Sequence, residues 1–122
     1  MTGDDIPRPL SDVERDVIAR LLSVPFPGRD ELRAQLPFTT VAGCCGCGCV
    51  SVNLAVDRVA APATVLAAAP VSADISDDEL YAGIVLLVDA EGYLCCLEVY
   101  SIGDEPVRRL PPVEQINARP QK

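Results

Sequence analysis

Hydrophobic positions follow a helical spacing near the start of the chain and an alternating one from about residue 38 onward. Val13, Val17, Ile18, Leu21 and Leu22 fall on one face of a helix. Ahead of them Ser11 and Glu14 stand three residues apart in capping-box order, a hydroxyl for the N3 amide and a carboxylate for the N-cap amide. This spacing predicts a helix over 11–23. Pro25 and Pro27 stop it, and Phe26 between them is expected to anchor in the core. A second, short helix is expected over 29–36, burying Leu32 and Leu36 and ending at Pro37.

Beyond it the period becomes two. A first short strand is expected over 38–42, and Val50, Val52, Leu54 and Val56 alternate with polar or small residues as a half-buried strand. Val71, Ala73 and Ile75 alternate with Ser72 and Asp74, and an acidic turn over 76–79 leads into a strand over 80–89. That strand and one over 93–101 are joined by the loop 89–92, where Gly92 is free to take a positive φ. Residues 58–69 are alanine-rich without periodicity and read as a loop. The pattern predicts an α+β fold, two N-terminal helices packed on an antiparallel sheet of four to five strands. The domain is expected over 10–112, between a flexible arm over 1–9 and an extended tail over 113–122. Residues 84–88 are apolar on both faces, so the second face needs a cover. The segment 107–113 with Leu110, or a second copy in a homodimer, would provide one.

Composition narrows the chemistry. The chain has 18 acidic and 10 basic residues, a net charge of −8, six cysteines and no histidine, and its only lysine is Lys122. The missing histidine removes a Ser-His-Asp triad, a Cys-His pair and an imidazole zinc site. The missing internal lysine removes a P-loop lysine and a pyridoxal Schiff base. Arg108–Arg109 and the Arg29/Arg33 pair are the only basic clusters, so nucleic acid and anionic membranes are poor partners. A basic protein partner suits the charge, and plain solubility explains it as well. No apolar run reaches the roughly 18 residues of a membrane span, and the first residues lack a signal-peptide pattern. A cytoplasmic protein with reduced thiols is expected.

The cysteines carry the remaining candidate chemistry. Cys44, Cys45, Cys47 and Cys49 are interleaved with Gly43, Gly46 and Gly48, and Cys95–Cys96 lie in the last predicted strand before the tail. Adjacent cysteines have Cα atoms about 3.8 Å apart, short of the usual disulfide range. Thiolates alone can close a tetrahedral zinc-type site, and the glycines let Cys45, Cys47 and Cys49 wrap, with Cys95 or Cys96 as fourth ligand. The C-x-C-x-C spacing is not a zinc knuckle, however, and alternate strand residues lie about 7 Å apart. Small buried thiols and a redox-active thiolate are the other two readings. Gly43, Gly46 and Gly48 precede a strand, where a phosphate loop needs a helix. Asp77, Asp78 and Glu79 read as a solvated turn, and Tyr93, Glu98 and Tyr100 as a binding face or as cross-strand packing.

Several local patterns recur together: Arg8-Pro-Leu10 before a capped helix, Phe26-Pro-Gly28, Glu31-Leu32, Gln35-Leu36, Cys45-Gly-Cys-Gly-Cys49 and Leu97-Glu-Val-Tyr100. Over residues 8–112 they resemble small proteins, common in actinobacteria, grouped as a domain of unknown function. The resemblance implies a compact α+β domain and no particular activity, substrate or cofactor. Cys95–Cys96 is not part of that pattern. The function expected is a small non-enzymatic binding or accessory protein with an acidic surface. The alternatives are a zinc-type protein using Cys45, Cys47, Cys49 and Cys95, and a thiol redox protein.

Overall fold

A computed structural model describes residues 7–44, 51–65, 67–75, 82–101 and 110–120. The capping box forms as the spacing predicts. Ser11 Oγ accepts from the Glu14 N–H at 3.1 Å, and Glu14 Oε1 accepts from the Ser11 N–H at 2.9 Å, opening α1 (Asp12–Leu21). Val17, Ile18, Leu21 and the following Leu22 are fully buried. Val13 is not: it is 51% exposed, and Glu14 takes the buried place on the first turn. At about 100° per residue, position 14 lies at the centre of the stripe formed by 17, 18 and 21, and position 13 at its edge.

Gly28, at φ 89°, turns the chain into α2 (Arg29–Gln35), which buries Leu32 and Gln35. A 3-10 turn, Leu36–Phe38, carries the chain around Pro37. Phe26 and Leu36, both expected in the core, are half-buried and pack at its margin.

The strands are β1 (Arg8–Pro9), β2 (Thr39–Cys44), β3 (Val52–Val56), β4 (Val71–Ile75), β5 (Ala82–Val88), β6 (Leu94–Ser101) and β7 (Ile116–Pro120). Every pairing is antiparallel, in the order β1-β2-β3-β6-β5-β4-β7. The fold is therefore α+β, with two helices and a sheet of seven strands among the described residues, where four to five strands were expected. The two added strands are the edges. β1 is two residues long and half proline, inside the expected arm, while β7 lies in the expected tail and is extended as a paired strand. Neither carries the run of alternating residues by which strands are read, so their pairing comes from β2 and β4.

One face of the sheet and α1 enclose the core. Val52, Leu97, Leu86 and Val71 form one buried row across β3, β6, β5 and β4, and Val99, Ile84 and Ala73 form another. The helix α1 packs against β7 and β4. On the opposite face Val85 and Leu87 are half-buried. Part of the 107–113 segment expected to cover that face lies outside the described residues; within it Leu110 is half-buried against the hydrophobic core and Pro111 is buried.

Candidate functional site

Of the thiol candidates, Cys95 and Cys96 have described side chains. Along the β5–β6 pair Leu87 faces Cys96 and Val88 faces Leu94, so Cys95 is the extra residue of a β-bulge. The bulge resets the alternation, which is why Leu94 and Leu97, three residues apart, are both buried. The Cys95 thiol is free and half-buried; burial, and then the negative charge of Asp89, push its pKa up. An activated thiolate needs the opposite environment.

Cys45, Cys47 and Cys49 lie outside the described residues, as do Asp77, Asp78 and Glu79. The residues flanking 45–50 locate its two ends. Cys44 pairs with Val52, which pairs with Leu97, and the Ser51 hydroxyl accepts from the Val99 N–H at 2.8 Å while donating to Val99 O at 3.1 Å. The Ser51 end thus meets β6 at Val99, whereas Cys44 lies on β2 with β3 between it and β6. Cys95 lies two residues back from Leu97 toward the β5–β6 hairpin, about 7 Å along the strand, and Cys96 is opposite Asn53. Among the described residues no three Cys, Asp or Glu side chains come together to hold an ion.

A built cleft lies at the hairpin end instead. Gln35, fully buried, donates from Nε2 to Ala61 O at 3.0 Å and Gly92 O at 2.9 Å, and its Oε1 accepts from the Leu94 N–H at 3.0 Å. Tyr93 OH donates to Ala60 O at 3.1 Å, and the Ala63 N–H donates to Gly92 O at 2.8 Å. Residues 60–63, within the expected loop, are therefore fastened to α2 and to the hairpin. A second tie, Val88 N–H to Ala68 O at 2.8 Å, leaves an arch whose feet are both anchored. Between the arch and the hairpin 88–92 lies an open cleft of about 610 Å³, walled by alanines and bearing Asp89 and Glu91.

The Asp89 carboxylate is largely engaged in structure. Its Oδ1 accepts from the N–H groups of Glu91 at 2.9 Å and Tyr93 at 3.0 Å, shaping the hairpin turn. Arg58 reaches within 3.8 Å of its Oδ2 and stacks with its guanidinium carbon 3.8 Å from the Tyr93 ring centroid. The cleft is a concave surface with an acidic margin. Sequence reasoning missed Gln35, although it stands three residues after Leu32 on the same helical face. Nor do Tyr93, Glu98 and Tyr100 share a face: Tyr93 is buried, whereas Glu98 is exposed and Tyr100 is 42% exposed over Gly83.

No protein-family model matches the chain, and neither a curated protein nor a solved structure does. Among the described residues no helix is long and apolar enough to cross a membrane.

Proposed function

We propose that this chain is a small non-enzymatic binding or accessory protein whose partner presents a basic surface. The observation that carries the reading is where the acids go. Of the acidic side chains described, only Glu14 is buried, and Asp12, Asp16, Asp30, Glu31, Glu91, Glu98 and Glu114 are exposed. With a net charge of −8, that placement supports an outward negative field, which speeds encounter with a cationic partner and disfavours polyanions. The reading takes the cytoplasm as its setting, where a thiol such as Cys95 stays reduced.

Tagged protein exposed to an extract of its native cells and eluted by salt steps tests the proposal. One stoichiometric protein of high isoelectric point is expected at low salt, released as ionic strength rises toward about 1 M, where the screening length falls to about 3 Å. Recovery of no stoichiometric protein, or of one indifferent to salt, overturns it.

A further inference from the structure

We infer that the β7 edge of the sheet is built to refuse strand addition by a second copy of this chain, with Arg20 as its guard. An edge strand presents alternate residues whose N–H and C=O groups face away from the neighbouring strand, and these template further pairing. On β7 both backbone groups of Ile116 are already engaged away from β4. Its N–H donates to Val113 O within the 3-10 turn Val113–Gln115, and its C=O accepts from Arg20 Nε, on the last turn of α1, at 3.2 Å. The Ile116 side chain is fully buried, so this end of the strand is held in place.

Alternation then turns the backbone of Ala118 and Pro120 outward as well. Pro120 has no N–H. Among the described residues, Ala118 is left as the one residue of β7 with both an outward donor and an outward acceptor to offer. In a two-fold antiparallel pair of β7 strands centred on Ala118, Ile116 of one copy would face Pro120 of the other. The Ile116 carbonyl is taken, and the opposing proline has nothing to donate. Only the two bonds between the Ala118 residues would form, too few for a ladder.

The far edge of the sheet carries the same two devices. In β1, Pro9 lacks an N–H and its C=O accepts from Arg8 Nη1 at 3.0 Å. A proline and a guanidinium on a strand carbonyl thus recur at both ends of the sheet order.

The geometry dictates a non-additive test. Arg20→Ala frees the Ile116 acceptor, and Pro120→Val supplies the donor that would face it. In the register centred on Ala118 only the double variant completes the pattern, raising the two-fold pair from two hydrogen bonds to four. Sedimentation equilibrium over a concentration series is expected to show both single variants tracking the wild type. The double variant should shift toward twice that mass, and its Ala118 amide should exchange at least about tenfold more slowly than in the wild type. Identical mass profiles for all four folded proteins overturn the proposal, as does a single variant associating as strongly as the double. Amide exchange in the wild-type protein stands as a second measurement if the double variant does not fold: fast exchange at Ala118 is expected, and exchange as slow as at Leu86 in the sheet interior overturns it.

Discussion

Glu14 closes the capping box with Ser11 and accepts from the two terminal guanidinium nitrogens of Arg8 at 2.8 Å, one on each carboxylate oxygen. The Arg8 hydrogen bonds hold its carboxyl below the ordinary carboxylate range, against the opposing effect of burial. A lowered folded-state pKa means that the stabilisation is present above the unfolded value and is lost as pH falls through the folded one. Glu14→Gln is therefore expected to cost about 1–2 kcal/mol at neutral pH, toward the low end of the range for charged hydrogen bonds because Arg8 is 35% exposed. Urea unfolding across pH should show the gap between wild type and variant closing below about pH 4.3, the ordinary glutamate value. A gap that persists at lower pH would assign the effect to packing. The capping role was legible because it depends on residues three apart. The burial was not, because it depends on Arg8 arriving from β1 to neutralise the carboxylate.

Irregular elements here are specified by contacts their own residues do not announce. The β6 bulge moves Cys95 out of the ladder and lets Leu94 and Leu97 share the core, so a strict period-two reading misplaces the thiols. The 58–69 stretch looked structureless, yet Gly92 shows how tightly it is fixed. Gly92 has φ 93°, and a Cβ there would lie 2.2 Å from Ala63 O, a backbone atom that cannot move aside cheaply. Gly92→Ala is expected to lower stability by about 1–3 kcal/mol, read as a fall in melting temperature. A change below about 0.5 kcal/mol would mean that the arch is not pinned at this point. The need for a positive φ was legible from the hairpin spacing. The close approach of Ala63 was not, because it joins segments about thirty residues apart that share no pattern.

For the molecule as a whole, the last described strand is part of the structural frame. The segment expected as a tail contributes Ile116, fully buried, and a strand paired with β4 along five residues. Removing residues 113–122 is expected to destabilise the whole chain by about 3 kcal/mol or more, since a buried isoleucine alone is worth about 1.5–3 kcal/mol. Urea unfolding measures this, and a truncated chain of unchanged midpoint would refute it. Local order was written in the residues themselves: the cap, the apolar stripe of α1, the alternation of β3 and β4 and the β5–β6 hairpin follow from neighbours within a turn or a strand. Tertiary packing decided which strands close the sheet, which acid is buried and how Arg20 meets Ile116, 96 residues away. Periodicity records which side of a segment turns inward. It carries no record of the partner that a two-residue or five-residue edge strand will find.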